Sequence, residues 1–427
     1  MSEATRRDFL TRTATAASTF LILKPQTVRA YQANSAVRIG LLGCGGRGTA
    51  VATSFSKNTS ARIVALADIF PDQLEKAAAT FSALAGSLGY SGPDRNLMFH
   101  GPHAYQQLAA CNQIDAIQIS TPPFFHVEHL DAAISGGKHV YCEKPVGVDI
   151  AQTRRALEIA KRVNGKVSVD VGFQIRSAPP FVELVRRIHE GALGKLVSIS
   201  AHYYAPAIQY PDRPPSMSYD ELRLRNWNWD LALSGDIIVE QDIHVVDICN
   251  WVLQSRPVAA YATGARSVIS HFGNNFDNYQ VTYTYPNDVH VTLDAKQYGP
   301  NTYFDVSERV FGSTGYSESP YSGPVHIVGD NAWEWKNEMI VQPGNAQFAA
   351  NGAFSDNLAQ ADPQKDKGFV ESIVSGKFHN QIETGVETAL SAMLARMSAR
   401  HNRPMTWDDM LATNEQFELG FDINQFA

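Results

Sequence analysis

The sequence is short of the features that mark several large classes of protein. It has only four cysteines in 427 residues, and no two of them have the Cys-x-x-Cys spacing of a zinc site or a redox motif. Charged residues make up 19%, the net charge is −7 and there is no long basic run, which argues against a nucleic-acid partner. Beyond the amino-terminal segment, no apolar run is long enough to span a membrane. We therefore expect a globular protein with buried thiols.

The first 30 residues, by contrast, have the order of an export signal. Arg6 and Arg7 precede the apolar pair Phe9–Leu10. A mildly apolar segment follows at 14–23, and a small-residue cleavage site ends at Ala30. This order predicts a twin-arginine signal over residues 1–30 and hence a periplasmic or otherwise exported protein. The alternative is a basic amphipathic helix that begins the fold itself.

A glycine-rich turn follows the first predicted strand. The apolar run at 37–42 ends in Gly43-x-Gly45-x-x-Gly48, and a helical pattern begins at once. Gly43 permits the turn, Gly45 lets the backbone approach a pyrophosphate, and Gly48 allows the helix to pack closely on the strand. A second apolar run ends in Asp68, at the offset of about 20 residues where a carboxylate binds the adenosine ribose. The pattern predicts a dinucleotide-binding unit.

Two domains follow from the order of the predicted elements. Strands alternate with helices over residues 36–172, which predicts a Rossmann domain with a doubly wound parallel sheet. Residues 173–427 carry short strands of alternating polarity, which predict a substrate-binding α+β domain whose antiparallel sheet has one buried face. In this second domain we expect one helix at 236–253 and an irregular loop at 323–362. Another loop is expected at 86–105.

Three further motifs lie at the ends of predicted strands of the first domain. They are Ser120–Thr121–Pro122 with His126, Gly136–Gly137–Lys138–His139–Val140, and Glu143–Lys144–Pro145. Together with the glycine turn, they make the chain resemble the glucose–fructose oxidoreductase / inositol dehydrogenase (Gfo/Idh/MocA) family over essentially all of residues 37–427. The resemblance implies an NAD(P)-dependent oxidoreductase. It also implies an open antiparallel sheet whose free face mediates dimer or tetramer contacts, with helices on the other face that could pack back on the first domain.

The resemblance and the strand ends give a set of candidate cofactor contacts, because a parallel sheet binds ligands at the carboxyl ends of its strands. The set is Gly43, Gly45, Gly46, Arg47, Gly48, Asp68, Ser120, Thr121, Pro122, His126, Glu143, Lys144 and Gln174. No arginine follows Asp68 closely, and its carboxylate would repel a 2′-phosphate, so we expect NAD rather than NADP. We expect no metal, because His126 and His129 lack a set of partner ligands.

Oxidation of a hydroxyl group needs a hydride acceptor, a base for the hydroxyl proton and a donor that steadies the developing oxyanion. Glu240, His244 and Asp247 follow one another at offsets of four and three, on one face of the expected helix. His244 is the candidate base, oriented by Asp247, and Lys144 either exchanges a proton or donates a hydrogen bond. The family assigns catalysis to the matching lysine and histidine, but it usually has Asp where Glu240 stands. The structural alternatives are a core histidine and a lysine that only pairs with Glu143.

Aromatic and basic side chains in the second domain suit a sugar. Trp227 and Trp229 lie beside Arg and Asn, the residue types that bind sugar faces and hydroxyls. The alternative for this segment is an ordinary loop over the core. Arg176 could face substrate, or it could be a surface or phosphate contact. The candidate substrate contacts are Lys144, Arg176, Trp227, Trp229, Glu240 and His244.

These features together predict an exported oxidoreductase that acts on a sugar, polyol or glycoside. Because no free nicotinamide nucleotide pool exists outside the cytoplasm, we expect a tightly bound, non-dissociating NAD that returns to its starting redox state in each cycle. One alternative is an NAD-dependent glycoside hydrolase, lyase or epimerase that uses transient oxidation with no net redox change. Another is a catalytically silent ligand-binding protein, against which the retained Lys144 and His244 argue.

Overall fold

Two sheets organise the chain in the computed structural model, one in each half of the sequence. The structure describes residues 36–163, 165–208, 214–269, 272–299, 303–336, 348–349, 352–353 and 356–427. The predicted export signal lies outside these residues. Within the described part of the chain, no helix combines the length and the apolar character that a membrane crossing requires. All four cysteines are free thiols.

Six parallel strands form the first sheet. In chain order they are β1 (Arg38–Leu42), β2 (Arg62–Asp68), β3 (Met98–His100), β4 (Ala116–Ile119), β5 (His139–Cys142) and β6 (Val169–Val171). Their order across the sheet is β3-β2-β1-β4-β5-β6. The direction of winding changes between β1 and β4, and a sheet of this kind binds its ligand at the carboxyl ends of the strands there.

Five helices connect these strands. They are α1 (Gly46–Asn58), α2 (Pro71–Leu88), α3 (Ala104–Ala110), α4 (His126–Ser135) and α5 (Ile150–Val163). Pro71 suits the first turn of α2, where its missing N–H costs nothing, and Gly89 ends that helix in the left-handed conformation. The loop expected at 86–105 was wrong in part, because β3 and a short 3₁₀ turn lie there. A strand of three residues is too short to show a period.

Nine strands form the second sheet. They are β7 (Leu196–Ala205), β8 (Ala259–Ala265), β9 (Asn278–Tyr285), β10 (Val289–Gln297), β11 (Asp305–Gly312), β12 (Gly315–Pro320), β13 (His326–Gly329), β14 (Trp333–Glu334) and β17 (Met405–Thr406). A separate hairpin consists of β15 (Phe348–Ala349) and β16 (Gly352–Ala353). The order is β14-β13-β12-β11-β7-β10-β9-β8-β17. All neighbours are antiparallel except β7 and β10.

Helices cover one face of the second sheet and return to the first. The helices of this half are α6 (Pro179–His189), α7 (Tyr219–Arg225), α8 (Leu231–Ser234), α9 (Ile237–Glu240), α10 (Ile243–Leu253), α11 (Ala361–Ser375), α12 (Ile382–His401) and α13 (Trp407–Ala412). Along β10, Val291 and Leu293 are buried in the core, whereas His290 and Thr292 are exposed. In addition, α11 packs on α1, and α12 packs on α5. The expected fold class is confirmed.

The structure corrects two further expectations in the second half. The segment 323–362 is not all loop, because it contains β13 and β14. The helix expected at 236–253 is broken into α9 and α10 at Gln241 and Asp242. The carbonyl oxygen of Glu240, at the end of α9, accepts a hydrogen bond from Lys144. A helical period in the sequence cannot show such a tertiary contact.

Candidate active site at the carboxyl edge of the parallel sheet

The glycine turn after β1 has the shape that a pyrophosphate requires. Gly43 has φ +92°, and a Cβ there would lie 2.6 Å from the backbone of Ser120. A Cβ on Gly48 would lie 2.0 Å from the carbonyl oxygen of Gly43, so only glycine allows this approach of helix and strand. A Cβ on Gly45 would meet nothing within 4 Å. The free N–H groups of the first turn of α1, from Gly46 onward, lie beside this open space and suit an anion.

Asp68 ends β2 beside the glycine turn. Its Oδ2 accepts a hydrogen bond from the backbone N–H of Cys44 at 2.7 Å, and its Oδ1 accepts one from Phe70 at 2.8 Å. Burial raises the pKa of Asp68, and the two N–H groups act in the opposite direction. A carboxylate has lone pairs left for further donors, and ribose hydroxyls are such donors. The geometry therefore fits the ribose contact that the sequence predicts.

Arg47, inside the glycine turn motif, is held by two carboxylates. Its Nε donates to Glu143 at 3.0 Å, and its Nη1 and Nη2 donate to Asp362 at 2.8 and 3.0 Å. Burial raises the pKa of Glu143, and the charge of Arg47 opposes that rise. Because the three residues lie on α1, after β5 and on α11, we call them the bracing cluster. The charged groups of Arg47 and Glu143, both candidate cofactor contacts, bind each other and so position the turn.

Lys144 follows Glu143 in the chain but binds a different partner. Its Nζ donates to Oε1 of Glu240 at 2.8 Å and to the carbonyl oxygen of the same residue. The two side chains are only 10% and 11% exposed, so water screens the pair little. Lys144 comes from the end of β5 and Glu240 from the end of α9. The contact therefore joins the two halves of the chain at the carboxyl edge of the parallel sheet.

His244 lies in the first turn of α10, four residues after Glu240. The residue is 8% exposed, and its Nδ1 has no hydrogen-bond partner among the residues that the structure describes. Burial lowers the pKa of His244 well below its usual range, and the charges of Lys144 and Arg47 lower it further. The imidazole is therefore neutral near pH 7 and can accept a proton. We call Lys144, Glu240 and His244 the reaction cluster.

Asp247 does not orient His244, and this expectation was wrong. The carboxylate of Asp247 accepts hydrogen bonds from Nε and Nη2 of Arg176 at 2.7 and 2.9 Å. It also accepts one from the hydroxyl of Thr388 at 3.0 Å. A bidentate pair of this kind engages both carboxylate oxygens. Arg176, a candidate substrate contact, therefore ties the turn after β6 to α10.

His126 connects the loops that follow β4 and β5. Its Nε2 lies 2.7 Å from the carbonyl oxygen of Thr121, and its Nδ1 lies 2.8 Å from that of Pro145. Burial lowers the pKa of His126, so the neutral ring donates to one of these two oxygens. Its role is to hold the loops that carry Ser120–Pro122 and Lys144. In the loop after β6, the buried Oε1 of Gln174 has no partner within the described part of the chain, so it can accept a hydrogen bond from a ligand.

The two tryptophans expected to contact substrate lie in different surroundings. Trp229 is 2% exposed, and its indole Nε1 donates to the carbonyl oxygen of Ile208 at 3.2 Å. It belongs to the core and leaves almost no surface for a sugar. Trp227 packs against the apolar cluster around Phe70 and Phe124, which follow β2 and β4. Trp229 therefore fits the alternative interpretation, that this segment is an ordinary loop over the core.

Two buried acids near the site escaped the sequence reasoning. Asp362 is 315 residues from Arg47, so no local pattern pairs them. Asp242 lies in the break between α9 and α10 and is 1% exposed, and no described residue is a hydrogen-bond partner of its Oδ2. Burial raises the pKa of Asp242 well above its usual range, and the carboxylates of Asp236 and Glu240 add to the rise. The sequence did not show the helix break in which Asp242 lies.

Two family models match the chain, one on each sheet. Residues 37–171 match the model described as an oxidoreductase family with an NAD-binding Rossmann fold, and residues 181–318 match the GFO/IDH/MocA C-terminal domain. The chain belongs to the GFO/IDH/MocA family. The resemblance inferred from the motifs is thus confirmed, and the protein is a nicotinamide-dependent oxidoreductase.

Relatives in the GFO/IDH/MocA family extend over most of the chain. Inositol 2-dehydrogenase of Rhizobium meliloti (strain 1021) is 27% identical over 342 residues, 80% of this chain and 89% of that protein. Levoglucosan dehydrogenase, solved with NADH and levoglucosan, has a TM-score of 0.69 at 17% identity and covers 87% of this chain and 99% of its own. Aldose–aldose oxidoreductase from Caulobacter crescentus, solved with glycerol, has a TM-score of 0.65 at 19% identity with the same coverages. At these identities the two structures show the fold alone.

The residues at this edge fit the dinucleotide of a GFO/IDH/MocA enzyme. The glycine turn leaves the space for a pyrophosphate, and Asp68 offers lone pairs to a ribose. Lys144 and His244 then lie on the side of β1 where β5 and β6 end, which is the nicotinamide side of such a fold. Among the described residues, no group of three or more His, Cys, Asp or Glu side chains is arranged to hold a metal ion.

Proposed function

We propose that the protein oxidises a secondary hydroxyl of a sugar or polyol, with NAD as the hydride acceptor. The contact of Lys144 with Glu240, close in the chain to the unpartnered His244, carries this proposal. The ammonium group of Lys144 and the neutral imidazole of His244 lie at the carboxyl edge of the parallel sheet. The glycine turn and Asp68, which fit a dinucleotide, lie at the same edge. Inositol 2-dehydrogenase of Rhizobium meliloti, a relative over 80% of this chain, supports a polyol as substrate by its name.

The reaction cluster can supply each group that the oxidation needs from the protein. His244 accepts the hydroxyl proton, because its lowered pKa keeps it neutral near pH 7. Lys144, fixed by Glu240, donates a hydrogen bond to the substrate oxygen as negative charge develops on it. When bound, the nicotinamide would supply the acceptor for the hydride of the substrate carbon. The balance is one hydride to the cofactor and one proton to His244, which leaves a carbonyl group on the substrate.

We infer that NAD, not NADP, is the cofactor. The carboxylate of Asp68 lies where a 2′-phosphate would otherwise be placed, and it is repulsive to one. Arg225 of α7 brings a guanidinium over the ring of Phe70 at 3.8 Å. That guanidinium donates to Asp72 at 2.8 Å and to Glu221 at 2.8 Å, so its charge is already balanced. Titration with both nucleotides tests this, and tighter binding of NADP would contradict it.

Export through the twin-arginine route, retention of the dinucleotide and homo-oligomer formation belong to the same proposal. The signal-like sequence at 1–30 supports export, and export of a folded protein supports a cofactor that stays bound. The open face of the second sheet supports a dimer or tetramer. Cell fractionation and the mass of the purified protein in solution test the first and the last.

The decisive experiment identifies the nucleotide and what reduces it. The protein is purified after export, and its bound nucleotide is extracted and weighed by mass spectrometry. Inositols, aldoses and anhydrosugars are then screened for a rise in reduced-nicotinamide absorbance. We expect bound NAD and a rise with at least one polyol or sugar. Hydrolysis of a glycoside with no net reduction would instead favour the redox-neutral alternative, and absence of nucleotide binding would overturn the proposal.

A further inference from the structure

Residues 413–427 follow α13 as a mostly extended arm that ends in a 3₁₀ turn, Ile423–Phe426, at the carboxyl edge of the parallel sheet. We call them the carboxyl-terminal arm. Their inward side chains alternate with exposed ones, so that Phe417, Leu419, Phe421 and Ile423 are half-buried and the residues between them are exposed. A period of two is that of an extended segment with one face on the protein. The arm is thus bound along its length by apolar side chains on a single face.

The beginning of the arm is fastened to the start of α5. The backbone N–H of Ala151 donates to the carbonyl oxygen of Glu415 at 3.1 Å. The backbone N–H of Phe417 donates to the carboxylate of Asp149 at 2.8 Å. Arg396, wholly buried on α12, pairs with the carboxylate of Glu415. These bonds hold the arm against the segment that follows β5, at the carboxyl edge of the parallel sheet.

The middle of the arm is held by α7 of the second half. Arg223 donates from Nη1 to the carbonyl oxygen of Leu419 at 3.0 Å, and its guanidinium lies 5.0 Å from the centre of the Phe421 ring. The Nε of Arg223 donates to Asp230 at 2.7 Å, which fixes the guanidinium in place. The arm therefore connects helices of the second half with loops of the first.

The far end of the arm reaches the ends of β2 and β3. The ring of Phe426 lies edge-on to Phe70, with centroids 6.1 Å apart. Oδ1 of Asn424 lies 2.9 Å from Nε2 of His103, in the loop after β3. Phe70 donates its N–H to Asp68, the residue that fits the adenosine ribose. The arm thus ends directly beside the proposed adenosine site.

One apolar cluster unites the arm with both strand ends that flank the glycine turn. Phe70 follows β2, and Phe124 follows β4, which lie on either side of β1 in the sheet. Both belong to the cluster that Leu419, Phe421 and Phe426 of the arm pack against. An adenine placed by Asp68 would lie between these strand ends, under the cluster. The arm is therefore on the outside of that space.

We infer that the carboxyl-terminal arm forms the outer wall of the adenosine site and slows the release of the dinucleotide. This inference rests on the proposed function, because it requires that the carboxyl edge binds NAD. The arm contributes no group to the reaction cluster. Its contribution is to binding, since a bound nucleotide can leave only after the contacts of Phe421 and Phe426 open. The rate of release then depends on the arm, while the hydride-transfer step does not.

The experiment measures the dissociation rate of NAD from the full chain and from the double variant Phe421→Ala/Phe426→Ala. We expect the variant to release NAD at least about tenfold faster and to contain less nucleotide after purification, because two ring contacts near the adenosine are lost. The matched control is Phe378→Ala. Its half-buried ring packs on His139, at the opposite edge of the same sheet, with centroids 5.0 Å apart.

A second readout is the rate of proteolysis within residues 413–427, which bound NAD should slow several-fold if the arm covers the nucleotide. If the double variant does not fold, the single Phe426→Ala variant replaces it, since that ring is half-exposed. Equal dissociation rates in variant and wild type, with no protection of the arm by NAD, would overturn this inference alone. A wild-type protein that binds no NAD would overturn the proposed function as well.

Discussion

Glu143 and Lys144 are neighbours in the chain, yet the first belongs to the bracing cluster and the second to the reaction cluster. In the bracing cluster, one guanidinium satisfies two carboxylates from different elements. In the reaction cluster, Lys144 and Glu240 form an ion pair, but Nδ1 of His244 has no partner in the described ranges of the chain. A buried polar atom without a partner costs stability, so it persists where a ligand completes it. The difference separates groups that hold the fold from groups that act on a substrate.

The largest effect should come from breaking the reaction cluster at its unpartnered member. His244→Gln keeps most of the side-chain volume but removes the base, so kcat should fall about 10²–10⁴-fold. The free energy of unfolding should change little, because no hydrogen bond to Nδ1 is lost. Steady-state kinetics with urea unfolding measure both, and His290→Gln, exposed on β10, is the control. A variant that keeps its full kcat would remove His244 from the mechanism.

Breaking the bracing cluster should instead have its main effect on the free energy of unfolding. Arg47→Ala leaves the carboxylates of Glu143 and Asp362 buried without a cation, which should lower the free energy of unfolding by about 3 kcal/mol. Urea unfolding measures this loss. The control is Arg95→Ala, which breaks an exposed pair with Glu75 in the same domain and should leave stability near that of the wild type. A stable Arg47→Ala protein that has lost only nucleotide affinity would make Arg47 a phosphate ligand instead.

Unlike the carboxylates of the two clusters, one buried carboxyl group pairs with no cation among the described residues. Glu308, on β11, accepts a hydrogen bond from Ser319 at 3.0 Å, and burial raises its pKa to about 8. The folded state then keeps a proton that the unfolded state loses above pH 4.5, so this group's stabilisation is lost as pH rises towards 8. Glu308→Gln cannot ionise, and between pH 5 and pH 8 it should gain about 1–3 kcal/mol relative to wild type. Urea unfolding at both pH values tests this, with the exposed Glu334→Gln as control.

The smallest effect concerns the pH profile of the reaction. Because burial and Lys144 lower the pKa of His244, kcat/KM should hold as pH falls through 6.5 and decline only below it. Lys144→Gln removes the nearer charge and should move the acid limb upward by about one unit, on top of its loss of activity. A wild-type acid limb at or above pH 6.5 would show that a different group is the base.

The sequence predicted the first half of the site better than the second, and the reason is physical. The glycine turn, Asp68 and the motif around Lys144 each lie within a strand and the loop that follows it, so a short pattern specifies them. Such short patterns also predicted the family, the fold class and the two sheets. The break before His244 was not, because it coincides with a hydrogen bond from Lys144, 96 residues away in the chain.

Pairings between distant segments were the other part that sequence reasoning missed. No residue near Arg47 in the sequence indicates its pairing with Asp362. Likewise, Asp247 binds Arg176, whereas we had expected it to orient His244, three residues before it. The carboxyl-terminal arm did have a visible signal, the alternation of Phe417, Leu419, Phe421 and Ile423. That pattern indicates an extended segment but does not indicate which surface receives it.

Because Glu143 and Lys144 are adjacent and follow β5, their placement depends more on the number of residues in β5 than on which residues these are. Consecutive side chains of an extended chain leave on opposite sides, so inserting or deleting one residue before Glu143 would exchange the two faces. A deletion would bring the lysine to the place of Glu143, against Arg47, and an insertion would bring the glutamate to the place of Lys144, against Glu240, so that either change sets like charges against each other. Conservative changes within the strand avoid this, whereas any change in residue count there should abolish folding and turnover together.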